Sequence, residues 1–355
     1  MKVLMVGVDQ QTKGGMWTVA ENYLRDESFC TQTNLKYIPT SITGSVPARL
    51  AFTAKALAKV FASLLAGKYD IVHVHMAERG SVYRKNLVMC MAKFFGSKVV
   101  IHMHGAEFET WYRAQNHKTQ ARIRRILNRG DRILILGDYW KEFICSLVDV
   151  PEKVQVLYNA VPVPGQNLYD SGSTNILFLG AVCQRKGIQD LLQAVRMTGD
   201  QLGPAVKVLI YGPDRGEQPI DQLIREMGVT DRVEYCGWLT AESRQQVFSQ
   251  TALNVLPSYN EGLPMTILET MAQGIPNIST PVAAIPEAVD AYNGAIVAPG
   301  DAEGLGRLMV QLMNDPAMRQ EKSGQAYRKA QEMFSIERHL EKILDIYREL
   351  SDNNV

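Results

Sequence analysis

Short apolar runs rich in β-branched residues recur along the chain, separated by longer segments whose apolar residues return every three or four positions. In the first half the runs fall at residues 2–8, 70–75, 98–103, 131–136 and 153–157. In the second half they fall at 175–180, 205–211, 232–236, 252–256 and 275–278, with helical spacing between them at segments such as 189–195 and 243–248. Strands that are apolar throughout and alternate with helices predict parallel sheets wrapped on both faces. Between the two series lies VPVPGQNLYDSGST, residues 161–174, which lacks periodicity and is rich in Pro, Gly and Ser. It reads as an interdomain linker. Near the end, Leu340, Ile343, Leu344, Ile346 and Tyr347 keep close to helical spacing, so a terminal helix is expected to pack on one lobe or bridge both. The expected class is α/β, two doubly wound parallel-sheet lobes, and two lobes imply a cleft.

Composition narrows the function more than the fold. At 355 residues the chain can bury two separate cores. With 46% hydrophobic and 21% charged residues and a formal net charge of +1, it carries no broad field for nucleic acid. Five cysteines, odd in number and without a C-x-x-C, argue against a disulfide framework and against a zinc knuckle. The opening MKVLMVGV has no basic region followed by a cleavable apolar stretch, and no 18 apolar residues run together. A cytoplasmic location is expected.

The candidate chemistry lies just after the strands, where open parallel sheets gather their ligands. YNEGLPMTILETMAQG carries two acids, Glu261 on a turn and Glu269 in the helix that follows, with Pro264 expected at the first helical position. The free N–H groups of Leu263, Met265 and Thr266 and the helix dipole would form an anion site beside them. Carboxylates for hydroxyls and amides for phosphate suit a sugar nucleotide better than a metal or a nucleic acid. In the loop after 175–180, Arg185-Lys186-Gly187 precedes a helix and places Lys186 to reach phosphate. After the first strand, Gly14-Gly15 either lets backbone approach a ligand closely or only supplies a flexible helix start. His73 and His75, like His102 and His104, share one strand face. His117 and His339 fall in unrelated helical stretches, so no metal site is expected. His73 and His102 should pack within the sheet, and His104, followed by Gly105, should project towards a ligand.

These motifs together resemble the retaining glycosyltransferases of the GT-B fold, family 4 (group 1) type, over nearly the whole length. The most specific element is E-x7-E, here Glu261 and Glu269; Gly14-Gly15, His104-Gly105, Lys186-Gly187 and Asn293-Gly294 support it. The resemblance implies two Rossmann-like domains facing across a cleft: an acceptor domain at 1–165, a nucleotide-sugar domain at 166–334, and a helix at 335–355 packing back on the first. It implies that Glu261 contacts hydroxyls of the donor sugar and Glu269 the nucleotide ribose. Lys186 and the amides around Met265 and Thr266 would hold the diphosphate, Gly15 would approach it, and His104 would sit near the transferred sugar. One departure stands out. The family has Arg directly after the glycine equivalent to Gly180, and this chain has Ala181. Arg185 is a candidate substitute; otherwise the cation comes from elsewhere or donor binding is weaker.

The activity so implied moves a hexose from a nucleoside-diphosphate sugar to an acceptor hydroxyl with retention, in cell-surface polysaccharide or glycolipid synthesis. It needs no metal and no cofactor beyond that co-substrate, and its acceptor is a sugar or a lipid-linked sugar. The alternatives are a nucleotide-sugar epimerase or phosphorylase of the same fold, or a silent sugar-nucleotide-binding subunit. Residues 111–130 combine Arg113, Lys118, Arg122, Arg124, Arg125 and Arg129 with Trp111, Tyr112, Ile123, Ile126 and Leu127. Such a segment either touches anionic lipid at the inner membrane face or presents an ordinary solvated charge.

Overall fold

The computed structural model describes residues 1–12 and 14–352. The chain divides into two compact units. Unit 1 is Met1–Asn159 together with the terminal helix from Ile336, and unit 2 is Ala160–Ser335.

Unit 1 runs β1 (Val3–Gly7), α1 (Gly15–Arg25), α2 (Glu27–Thr33), β2 (Lys36–Pro39), α3 (Val46–Ala66), β3 (Ile71–Met76), α4 (Gly80–Phe94) and β4 (Lys98–Met103). It continues through α5 (Phe108–Arg113), α6 (His117–Leu127), β5 (Arg132–Ile135), α7 (Lys141–Cys145) and β6 (Val154–Val156). Its six strands are parallel in the order β2-β1-β3-β4-β5-β6. Right-handed crossovers from β2 through to β5 put α3, α4 and α6 side by side on one face of this sheet. The other face is covered by α1 and by the terminal helix, through Tyr23 and Tyr347.

Unit 2 runs β7 (Asn175–Leu179), α8 (Ile188–Thr198), β8 (Val208–Tyr211), α9 (Ile220–Glu226), β9 (Val233–Gly237), α10 (Ala241–Ser249) and β10 (Thr251–Leu256). Then follow α11 (Met265–Ala272), β11 (Asn277–Ser279), α12 (Ile285–Ala288), β12 (Gly294–Ile296), α13 (Ala302–Asn314) and α14 (Pro316–Met333); α15 (Ile336–Asp352) returns to unit 1. The second sheet is also parallel, in the order β12-β11-β10-β7-β8-β9. Both sheets are doubly wound α/β, as the alternation predicts.

The central strands β1, β3, β4, β7 and β10 are almost entirely buried, because helices cover both faces. Two strands have no counterpart among the expected runs: β2 and β12, each at one end of its sheet. An edge strand pairs on one side only, so it can be short and half-polar. KYIP keeps Lys36 exposed, and GAI is three residues opening on a glycine. The Pro- and Gly-rich run at 161–174 is tied down along unit 2. Val161 donates to the Phe334 carbonyl at 2.9 Å, Tyr327 to the Pro164 carbonyl at 2.6 Å, and Asn167 to Ser323 at 2.9 Å.

Candidate functional site

In unit 2 the strand order reverses between β7 and β10, whose crossovers leave in opposite directions, and the loops after those two strands therefore diverge and open a crevice. The acids and cations of the sequence motifs lie on these two loops. After β7 the chain makes a 3-10 turn, Gln184–Lys186, and then reaches Gly187 at φ 72°. A β-carbon there would stand 2.0 Å from the Pro257 carbonyl oxygen, so only glycine lets the two loops touch. Backbone and side-chain bonds complete the seam. Tyr259 N–H donates to the Arg185 carbonyl at 2.8 Å, and the Arg185 guanidinium donates to the Asn260 carbonyl at 2.7 Å.

This seam brings Lys186 onto Glu261. The Lys186 Nζ pairs with Glu261 Oε1, which also accepts from Ser258 Oγ at 2.7 Å, while Arg185 Nη1 stands 3.9 Å from Oε2. Glu261 is only 6% exposed, so its charge is held by these partners rather than by bulk water. Arg185, the candidate substitute for the arginine missing at Ala181, thus faces the same acid as Lys186, and its side chain is 41% exposed. The close packing beside Ala181 falls on Gly212. A β-carbon on Gly212, which has φ 143°, would fall 1.8 Å from the Gly180 carbonyl oxygen.

Pro264 is the N-cap residue, and α11 begins at Met265, one position later than expected. By helix geometry the N–H groups of Met265, Thr266 and Ile267 have no partner inside the helix. Thr266 Oγ1 is buried beside them without a hydrogen bond. Leu263 and Met265 are buried. Glu269 lies further along the same helix and meets a residue that the sequence motifs do not point to. Arg244 of α10 donates from Nη1 to Glu269 Oε1 at 2.8 Å, and its Nε is buried without a partner. Burial pushes the Glu269 carboxyl up, and the Arg244 guanidinium pulls it back down. No spacing signal in TAESRQQVF separates this arginine from a solvated one. Glu261, Glu269, Lys186, Arg185, Met265 and Thr266 are all positioned by unit 2 alone.

Unit 1 holds the remaining candidates. Gly14, with φ 149°, is the N-cap of α1, and Gly15 is its first residue. A β-carbon on Gly14 would meet nothing within 4 Å, so the space there is open. His73 and His75 of β3 and His102 of β4 are fully buried, with His75 directly opposite His102 in the register. His104, expected to project towards a ligand, instead stacks back on them. Its Nε2 lies 2.8 Å from His75 Nδ1, and its ring centroid is 4.2 Å from that of His102. Gly105 packs close behind it, since a β-carbon would stand 3.0 Å from the Glu78 backbone nitrogen.

His339, expected to be unrelated to these residues, joins them because α15 packs on the same sheet face. Its Nδ1 lies 2.8 Å from the Tyr158 carbonyl, so that nitrogen carries the proton and Nε2 accepts from Tyr23 Oη. Tyr347 Oη meets His73 Nδ1. Burial and the neighbouring basic groups drive the pKa of every ring down, His104 to about 3 and His339 to about 4, with His73, His75 and His102 well below the usual range. All five are neutral near pH 7.

His73, His75 and His102 are also the one group among the described residues whose ligand atoms, within 4.8 Å of one another, approach what a metal would need. Their rings argue against it. His73 and His75 stack 20° from parallel, so their in-plane lone pairs run alongside rather than converge on a point. The titratable groups that bear on them are the other histidines and the buried Lys85, so a divalent ion would gain no carboxylate in a dry interior.

The chain is similar to known proteins in both halves. Residues 20–163 match the family model described as Glycosyltransferase Family 4, and residues 173–315 match the one described as Glycosyl transferases group 1. Among curated proteins, the chain is 23% identical over 328 residues to the "Uncharacterized 41.2 kDa protein in cps region" of Klebsiella pneumoniae, covering 86% of this chain and 88% of that one. It is 26% identical over 232 residues to the putative colanic acid biosynthesis glycosyltransferase WcaL of Salmonella typhimurium, covering 61% of this chain and 55% of that protein. Among solved structures, sucrose-phosphate synthase from Thermosynechococcus elongatus superimposes with a TM-score of 0.79 at 16% identity over the full length of both chains. HepE of Anabaena, solved in complex with UDP-glucose, gives 0.75 at 17% identity over 98% of this chain and 100% of that one. The chain belongs to the GT-B-fold glycosyltransferases of the family 4, group 1 type.

Proposed function

We propose that this glycosyltransferase moves a hexose from a nucleoside-diphosphate sugar to an acceptor hydroxyl with retention at the anomeric carbon and without a metal. The observation that carries the reading is the Lys186–Glu261 pair beside the N-terminus of α11, where Thr266 Oγ1 is buried and unsatisfied. A bound diphosphate would take the amides of α11, Thr266 Oγ1 and the ammonium of Lys186, releasing Glu261 to accept from sugar hydroxyls. Charge developing on the leaving diphosphate is then met by Lys186, Arg185 and the helix dipole, the part a divalent ion plays elsewhere. The diphosphate oxygen deprotonates the acceptor on the same face of the sugar, so no protein nucleophile is needed. Glu269 with Arg244 would hold the ribose. For Gly14, Gly15 and His104 the family resemblance remains the warrant. The relatives support a role in surface polysaccharide synthesis: WcaL is named for colanic acid, and AmsK of Erwinia amylovora for amylovoran. HepE was solved with UDP-glucose, which favours that class of donor here.

Thermal unfolding in the presence of UDP, GDP and ADP sugars tests the reading, because only a true donor raises the midpoint by mass action. Lys186→Ala should weaken binding of that donor by about tenfold or more, as loss of one charge-assisted contact implies. Calorimetric titration giving wild-type affinity would overturn the site. Turnover should survive removal of divalent ions by a chelator. Activity lost on chelation and regained with magnesium would refute the metal-free mechanism.

A further inference from the structure

The stretch 111–130 resolves into α5 and α6, whose Tyr112, Ile123, Ile126 and Leu127 are buried, so what α6 offers the solvent is mostly its cations, with His117 and Ala121. The apolar surface lies next to it. Among the described residues, six of the seven aliphatic or phenylalanine side chains that are at least 46% exposed stand on α3 and α4: Val46, Leu50, Phe61, Leu65, Leu87 and Phe94, the last 82% exposed. The four on α3 fall within one stripe of about 100° around that helix. Phe61 packs edge-on against Phe95 at 5.6 Å, beside the end of α4, and Phe95 packs in turn on Phe94, which makes the patch continuous from α3 to α4.

The charge of this layer is one-sided. α3 and α4 carry three lysines or arginines each and α6 carries four, and none of the three helices has an aspartate or glutamate. At the chain's average of 37 acids in 355 residues, a stretch of this combined length would hold several. Lys85 is turned inward, donating to Thr40 Oγ1 at 2.6 Å. Of the rest, Lys93 has a carboxylate partner in Asp131, and no other carboxylate pairs with these helices among the described residues. Arg122 of α6 lies over the Tyr83 ring of α4 at 5.0 Å, which joins the basic side to the apolar one. At the start of the layer Arg49 adds its like charge to the half-buried Arg84, whose Nε is buried without a hydrogen bond. A half-buried guanidinium with an unpartnered nitrogen, under the influence of a like charge, is relieved by a phosphate oxygen.

We infer that the α3–α4–α6 face of unit 1 docks on an anionic phospholipid surface, with Val46, Leu50, Leu87 and Phe94 entering the headgroup boundary and Arg49, Arg84, Arg122 and Arg125 meeting lipid phosphates. The pattern of apolar side chains standing outward among unpaired cations is that of an interfacial helix. The face does not depend on the donor site of unit 2. Its consequence for the reaction is that a lipid-borne acceptor would be held beside the enzyme rather than met from solution.

Sedimentation of the full chain with vesicles tests this. The protein should pellet with phosphatidylcholine vesicles containing phosphatidylglycerol, fail to pellet with phosphatidylcholine alone, and be released by salt. The double variant Leu50→Ser/Phe94→Ser should partition about tenfold less, and Arg49→Glu/Arg125→Glu about fivefold less for each charge reversed. All four side chains are exposed, so circular dichroism and the thermal midpoint should match wild type. The inference is overturned if the wild-type protein ignores phosphatidylglycerol vesicles, or if the serine variant binds them undiminished. It is equally overturned if the wild-type protein is a dimer in solution that the serine variant splits, since the face would then be an interface between copies. Donor binding measured on the same variants should be unchanged, which separates this result from the reading of the site.

Discussion

Replacing Glu261 by alanine is expected to abolish measurable transfer, with a fall in turnover on the order of 10²–10³ or more, the range for losing one preorganised polar contact in an active site. Two effects combine. The proposed hydroxyl acceptor disappears, and Lys186, with a side chain only 13% exposed, loses the carboxylate that balances it. An uncompensated charge in such a place costs about 3–5 kcal/mol, so the alanine variant should also melt earlier. Glu261→Gln separates the two effects. It keeps the volume and an oxygen for Ser258, and it should preserve the fold more nearly while still lowering turnover steeply. Donor affinity in the glutamine variant should be equal to wild type or tighter, because Lys186 is then freed for phosphate. A glutamine variant with wild-type turnover would remove Glu261 from the chemistry.

The second large effect is acid lability of unit 1. His73, His75, His102, His104 and His339 are all neutral in the folded protein, with pKa values driven below the ordinary 6.5. The charged group beside them is Lys85, whose own ammonium is disfavoured by burial, and Tyr23 and Tyr347 face them from α1 and α15. Below about pH 6.5 the unfolded chain takes up protons that the native state refuses, so stability falls as pH falls. It is complete above that value and lost progressively towards pH 4. Each ring contributes a slope of at most about 1.4 kcal/mol per pH unit, and all five act in the same direction. Urea denaturation at pH 7, 6 and 5 measures it. His102, with both ring nitrogens unpartnered, supplies the control. His102→Phe should flatten the slope, because an apolar ring of similar size has no proton to gain. A pH-independent midpoint across this range would contradict the account.

Most of the architecture was legible because the central strands are covered on both faces and must be apolar throughout. β2 and β12 escaped because an edge needs neither length nor continuous apolarity. In the site, Glu261 and Lys186 could be read from their places after strands. That Gly187 presses against Pro257 and so brings them together could not, since contact between loops 75 residues apart leaves no mark in either segment. Arg244 was invisible for the same reason. His339 was set apart from the other histidines because, although a terminal helix was expected to return to the first domain, nothing in the sequence shows which of its side chains meets β3 and β4.

That return has a consequence for how the molecule is made. Unit 1 is discontinuous: the whole of unit 2 is translated before α15 exists to cover β3 and β4. A nascent chain therefore leaves the ribosome with Phe29, His73 and His102 lacking Tyr347 and His339 above them, while Ala160–Ser335 is already a complete folding unit. The later-made domain can finish first, and the earlier one must wait for the last turns of helix to close it.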